Sequence, residues 1–264
     1  MKQAIAGIMI IAVFFPMPAG IVTAEEGRAV FVSPEYIAAQ IKSSREILLV
    51  DVRKKAEFEQ IRIPGAIRIP VDFIKTKAYL KSKNIVLVNK GFSSMPLVSA
   101  CKDLGNMGFD ARILSGGLKA WVAKGLPVRK EPFAQRTLAM VSPRRVFQQY
   151  AARSFLPVDI SGLQAPVAFD NTVYVNPTGK ELISVVAGYH KNHPHHSVLI
   201  FNQAGTGYAT FRKKIKSAEI KNVFFLTGGM KAYVKYLENR ERAGAPKKER
   251  IKSTRQTPCR SCED

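Results

Sequence analysis

Three groups of residues carry the chemical potential of this chain. The first is its thiols, Cys101, Cys259 and Cys262. Cys259-Arg260-Ser261-Cys262 is a C-x-x-C, which admits three chemistries. It can close a local disulfide in an oxidising compartment. It can act as an exchangeable redox pair, with Arg255 and Arg260 favouring thiolate. It can also supply two soft metal ligands. Glu263 rather than His follows Cys262, so covalent haem attachment does not fit. Cys101 shares an apolar helical face with Leu97, Ala100 and Leu104 and reads as a small core residue. The second group is His190, His193, His195 and His196, which are all the histidines of the chain. H-x-x-H-x-H-H can hold a transition metal through imidazoles. The alternative is a solvated loop ahead of the strand at Val198, with Pro194 interrupting the run. The third group is a pair of loops, each opening on Asn after a buried strand. One is Asn89-Lys90-Gly91-Phe92-Ser93-Ser94, after Ile85–Val88. The other is Asn202-Gln203-Ala204-Gly205-Thr206-Gly207, after Val198–Phe201. Strand, tight loop and helix start together aim backbone N–H groups and a helix dipole at one spot, which suits an anion. Alternatively, each Asn hydrogen-bonds its own loop.

The surrounding pattern says what must position these groups. Continuous apolar runs such as Ile47–Val52 and Ile85–Val88 read as strands covered on both faces. Helical periodicity follows each of them. Ser33-Pro34 has the composition of a helix start, with Ser as N-cap and Pro in the first turn. Strands and helices alternate, so the expected fold class is α/β, a parallel sheet with helices on both faces. The pattern then repeats. Val32-Ser33-Pro34 returns as Val141-Ser142-Pro143, and Val50-Asp51-Val52 as Val158-Asp159-Ile160. Leu114-Ser115-Gly116-Gly117 returns as Leu226-Thr227-Gly228-Gly229, all at offsets of 108 to 112 residues. Anchors in one order at one offset predict a duplicated domain. The expected domains are residues 25–130 and 137–240, with a boundary near Lys130–Arg136 and a basic tail over 241–264.

The first 24 residues have the form of a secretory signal. Lys2 supplies the charged start and Ala4–Phe15 an apolar run of 12 residues. Pro16 and Pro18 follow, then Val22-Thr23-Ala24 as a cleavage site. The run is shorter than the ~20 apolar residues a membrane span needs. An exported protein, periplasmic or extracellular, is expected, with no transmembrane segment once the signal is removed. The formal net charge is +21. That favours an anionic ligand or an acidic partner protein. No nucleic-acid-binding motif is present, so nucleic acid is not an expected partner. No cofactor is implied.

Several stretches resemble the rhodanese-like (thiosulfate sulfurtransferase) family. They are Leu49-Val50-Asp51-Val52-Arg53, Glu57-Phe58, Ile63-Pro64-Gly65-Ala66, Ile85–Val88, Leu114–Gly117 with Trp121, and Gly125-Leu126-Pro127-Val128. The second half is a looser match: Ser161 stands where the first has Arg53, and no Pro-Gly-Ala turn follows. The resemblance implies two rhodanese-like domains in tandem. It also implies a catalytic Cys at the head of each loop, cradled as a persulfide by loop N–H groups. Asn89 and Asn202 stand at those positions, and an amide cannot act as that nucleophile. The expectation is therefore a binding or scaffolding module inactive as a sulfurtransferase. One alternative is a divergent sulfurtransferase or thiol–disulfide protein using Cys259 and Cys262. Another is metal handling by the four histidines.

Overall fold

The structure is a computed structural model that describes residues 30–43, 45–162, 169–176 and 180–244. The signal-like segment, Cys259 and Cys262 lie outside the described residues.

The first half runs β1 (Phe31–Val32), α1 (Pro34–Lys42), β2 (Ile47–Asp51), α2 (Lys55–Gln60), β3 (Ile61–Arg62), β4 (Ile67–Arg68), α3 (Val71–Ile74), β5 (Asn84–Val88), α4 (Met95–Asn106), β6 (Asp110–Leu114), α5 (Gly117–Ala123) and β7 (Arg129–Lys130). The second runs β8 (Met140–Val141), α6 (Pro143–Tyr150), β9 (Phe155–Asp159), β10 (Val173–Tyr174), α7 (Lys180–Asn192), β11 (Ser197–Phe201), α8 (Tyr208–Ser217), β12 (Val223–Leu226) and α9 (Gly229–Gly244). The strands form two parallel sheets, ordered β1-β6-β5-β2-β4 and β10-β9-β11-β12-β8. Read in opposite directions, these are the same order, with β1, β6, β5, β2 and β4 matched by β8, β12, β11, β9 and β10.

Local sequence explains the matching elements. Ser33 caps α1 by accepting from the Tyr36 amide at 3.1 Å, and Ser142 caps α6 by accepting from the Arg145 amide at 3.4 Å. Each is followed by Pro in the first turn, where no amide hydrogen is needed. The central strands alternate by face, as a pleated strand must. Val86 and Val88 join one core with α1 and α5, while Ile85 and Leu87 join another with α4. In β11, Val198 and Ile200 divide from Leu199 and Phe201 in the same way.

The boundary segment packs on the first half instead of running free. β7 pairs antiparallel with β3, and Ala134 and Leu138 enter the core beside Trp121. Trp121 Nε1 donates to the Pro127 carbonyl at 2.8 Å, which fixes the chain on its way out of α5.

Behind the loops, the halves differ in one buried acid. Asp51 and Arg53 form a closed pair. Arg53 Nη2 lies 2.6 Å from Asp51 Oδ2 and also donates to the Ile61 carbonyl at 2.6 Å, while its amide donates to Asp51 Oδ1 at 3.0 Å. Asp159 keeps only the equivalent backbone contact, accepting from the Ser161 amide at 2.7 Å. Its Oδ2 is buried with no partner, because Ser161 replaces the arginine. Unpairing a buried ion pair costs about 3–5 kcal/mol. Asp51→Asn is therefore expected to lower stability by that order, whereas Asp159→Asn, which removes a carboxylate already half unsatisfied, should stay within about 1 kcal/mol of wild type. Chemical denaturation of the two variants measures the contrast, and equal losses would refute it.

Candidate functional site

The C-terminal edges of β5 and β11 carry the two Asn loops, and in each the Asn side chain hydrogen-bonds within its own loop. Asn89 Oδ1 accepts from the Gly91 amide at 2.8 Å, and its Nδ2 donates to Ser94 Oγ at 3.1 Å. Asn202 Oδ1 accepts from the Gly205 amide at 2.6 Å, and its Nδ2 donates to the Thr206 carbonyl at 2.8 Å. Each amide side chain thus occupies its own loop's donors, the turn-forming role of Asn. The helix beginning at each Gly-Gly turn is committed as well. Leu118 N donates to the Asn89 carbonyl at 2.8 Å and Met230 N to the Asn202 carbonyl at 2.9 Å. Loop and turn approach so closely that a Cβ at Gly117 would overlap Asn89 Oδ1 and the Gly91 amide. A Cβ at Gly229 would overlap the Asn202 carbonyl and the Gly205 amide. Both glycines also have positive φ, 56° and 62°, so no other residue fits well.

The loops differ in what covers them. The anion cradle expected at residues 89–94 is closed, because Asn89, Gly91, Phe92, Ser93 and Ser94 are buried. The C-terminal edge of the first sheet meets the N-terminal edge of the second, and this loop lies in the contact. Phe92, 1% exposed, packs between Phe155 and Phe224 with ring centroids 5.2 and 5.3 Å away. The Ser93 amide donates to Ser197 Oγ at 3.0 Å, and the Ser93 and Ser154 hydroxyls are hydrogen-bonded. Lys90 Nζ donates to the Met140 carbonyl at 2.7 Å. Desolvation in this junction lowers the pKa of Lys90 and brings that of Lys119, whose Nζ lies 5.1 Å from the Phe224 ring centre, down to about 8. Little in the loop's own composition points to this burial. Its one signal was Phe92, a large apolar residue in a loop expected to face solvent.

The second loop remains open. Ala204, Thr206 and Gly207 are exposed, and Asn202, Gln203 and Gly205 are half-buried. Beside it lies a cavity of about 450 Å³, lined by Gln203 and by one face of α9 that includes Lys231, Lys235 and Arg242. Glu238 also lines it and sits 3.8 Å from Arg242.

The histidines do not converge as a metal site. Among the described residues, no group of three or more His, Cys, Asp or Glu side chains could hold a metal ion. Aromatic packing takes the rings instead. His195 stacks on Phe31 across the junction at 3.9 Å, and His193 stacks on His196 at 4.9 Å. His196 Nδ1 is 2.9 Å from the Tyr189 hydroxyl. His190 Nε2 is buried without a partner. Cys101 is buried in the first core, where desolvation raises its thiol pKa to about 11.

The comparisons with known proteins agree with the first sheet. The rhodanese-like domain family profile matches residues 33–124. A sulfurtransferase from Allochromatium vinosum is 30% identical over 101 residues, 37% of this chain and 92% of that protein. The chain belongs to the rhodanese-like family. The Bacillus subtilis protein YtwF is also 30% identical, over 98 residues, 36% of this chain and 93% of its own length. Among solved structures, the thiosulfate sulfurtransferase from Pseudomonas aeruginosa superposes on 78% of this rhodanese-like chain and 42% of its own, at 19% identity and a TM-score of 0.35.

Two outcomes follow from the junction. Phe92→Ala removes a side chain buried at its centre, and a Phe-to-Ala change in a core costs about 3–5 kcal/mol. Hydrogen exchange at residues 89–94 should accelerate in that variant, and unchanged exchange would contradict the packing described. The second outcome concerns pH. Burial lowers the pKa of His190, His195 and His196 below 6.5, with Lys119 adding repulsion at His190 and with His193 and His195 adding it at His196. The folded state therefore favours neutral rings. Their contribution is whole above pH ~6.5, the unfolded value, and is lost as pH falls through the folded values. Thermal melting should drop between pH 7.5 and 5.5, and His190→Gln with His195→Gln should flatten that slope.

Proposed function

We propose that this chain is an exported, tandem rhodanese-like protein that binds and does not transfer sulfur. Its first loop joins the two halves, and its second loop, with the basic face of α9, takes an anionic ligand or an acidic partner. The observation that carries this reading is that both strand ends bear an amide locked onto its own loop. The family's persulfide chemistry needs a thiolate there. The remaining described thiol, Cys101, is buried, and a thiol with a pKa of about 11 stays protonated at neutral pH. The first loop offers no room for a substrate, since Phe92 and Ser93 are packed against the second half. Export to the periplasm or outside the cell is the destination that the N-terminal composition supports.

The second loop suits binding better than catalysis. It has exposed backbone and a half-buried Gln203, and it adjoins three cationic side chains countered by Glu238. A small oxyanion or a carboxylate matches that charge. The C-x-x-C of Cys259 and Cys262 would support the competing reading, thiol chemistry carried by the tail.

One pair of assays tests the proposal. Sulfur transfer from thiosulfate to cyanide is measured on the full chain and on a Cys259→Ser/Cys262→Ser variant. No turnover in either supports a binding protein. Turnover lost with the tail cysteines would move the chemistry to them, and turnover in both forms would overturn the proposal. Titration with sulfate and thiosulfate, followed by thermal shift, tests the second loop. Lys231→Glu/Lys235→Glu should abolish a stabilisation seen in the parent, and an equal shift in both would place the anion elsewhere.

A further inference from the structure

The segment after β4 stands apart from both loops. Over residues 71–83, four lysines face a single acid, Asp72. Two large aromatics point outward from this basic stretch, with Phe73 57% and Tyr79 60% exposed. Their exposure is imposed by the fold. Ile74 and Leu80, each the neighbour of one of them, are fully buried in the first core and pin the segment down. Lys75 and Lys77 are exposed between the two rings. Lys81 lies with its Nζ 5.4 Å from the Phe109 ring centre, and Lys83 pairs with Glu46 at 3.0 Å.

We infer that residues 71–83 form a docking ridge for an anionic lipid surface. Two features select lipid over a peptide or acidic protein. The first is backbone closure. The amides of Phe73, Thr76, Lys77, Leu80 and Lys83 donate within the segment or to Pro70 at 2.9–3.2 Å. The Thr76 and Ser82 hydroxyls donate to the Phe73 and Tyr79 carbonyls at 2.8 and 3.2 Å. The ridge can therefore reach the acyl boundary without stranding these donors, the constraint that hydrocarbon imposes. It also offers none of these donors to pair with an added strand. The second is the arrangement of side chains. Aromatic tips flanked by lysines match the two layers of a membrane interface: rings settle at the boundary of acyl chains and headgroups, and ammonium groups meet phosphates. Here Tyr79 keeps its hydroxyl for the polar layer.

The test uses the full chain and a local reporter, because a net charge of +21 draws any surface of the protein toward anionic vesicles. Phe73→Trp places an indole on the ridge, and Tyr174→Trp places one on β10 of the other half as a control. Trp121 is buried and contributes a constant background. Vesicles of phosphatidylcholine, with or without phosphatidylglycerol, are added. The inference expects a blue shift, and quenching by brominated lipid, for Phe73→Trp with phosphatidylglycerol alone, and neither for Tyr174→Trp. In sedimentation, Phe73→Ala/Tyr79→Ala and Lys75→Glu/Lys77→Glu should each lower partitioning about tenfold. These exposed side chains can change without unfolding the chain, which circular dichroism checks. Sedimentation with an unmoved Phe73→Trp spectrum would assign binding to another basic surface and overturn the ridge. So would a shift produced by polyglutamate and not by vesicles, which would mark an acidic protein as the occupant. Absence of vesicle binding would overturn it outright.

Discussion

The seating of Phe92 and Ser93 in the second half is the contact on which the rest of this structure depends. Phe92 fills a gap between Phe155 at the start of β9 and Phe224 near the start of β12. Ser93 then meets hydroxyls at the N-terminal ends of the neighbouring strands, Ser154 and Ser197. Strand ends carry amides and carbonyls that their own sheet leaves unpaired, so a junction there needs polar partners as well as apolar filling. The loop supplies both. The consequence reaches beyond stability. A loop with the geometry of an anion site becomes a structural joint, and the two halves acquire a polarity in which the first loop is covered and the second left open.

Much of this was legible in the sequence, for identifiable reasons. The parallel sheets follow from apolar strands alternating with helical periodicity, and the matched strand orders follow the repeated anchors in both halves. Ser33-Pro34 and Ser142-Pro143 mark helix starts because their capping is local chemistry. What escaped the sequence is long-range. The pairing of β3 with β7, and the docking of Ala134 and Leu138, depend on a chain return that short runs of two residues do not encode. The burial of residues 89–94 depends on a surface more than 60 residues away, at Ser154 and Phe155. The histidines were misleading for a related reason. Spacing along a chain brings imidazoles near one another but does not aim their nitrogens, and stacking on Phe31 and between rings took them instead.

The two asparagines show how each loop holds its shape. Each loop has backbone donors gathered at a Gly-Gly turn, and buried donors need an acceptor. An amide oxygen on a short side chain reaches one of them from the first loop position. Asn89 and Asn202 fill that role, and Gly117 and Gly229 suit the positions beside them because a Cβ at either would strike the loop.

The contrast between the halves separates what holds a fold from what does chemistry. The first half keeps the residues by which its resemblance is recognised, and the structure gives several of them mechanical roles. Asp51 and Arg53 tie the end of β2 to the Ile61 carbonyl, and Arg68 Nε adds a bond to the Arg53 carbonyl at 3.0 Å. These contacts hold strand ends and turns together and take no part in any chemistry at the loops. The second half lacks the arginine and the Pro-Gly-Ala turn, and leaves Asp159 half satisfied, yet it presents the accessible loop. The family match thus covers the half whose loop is buried, and the exposed loop lies outside it. Fold and function are separable in this way because the sheet positions a loop without dictating its side chains, and in this chain one sheet order carries a buried loop in the first half and an exposed one in the second.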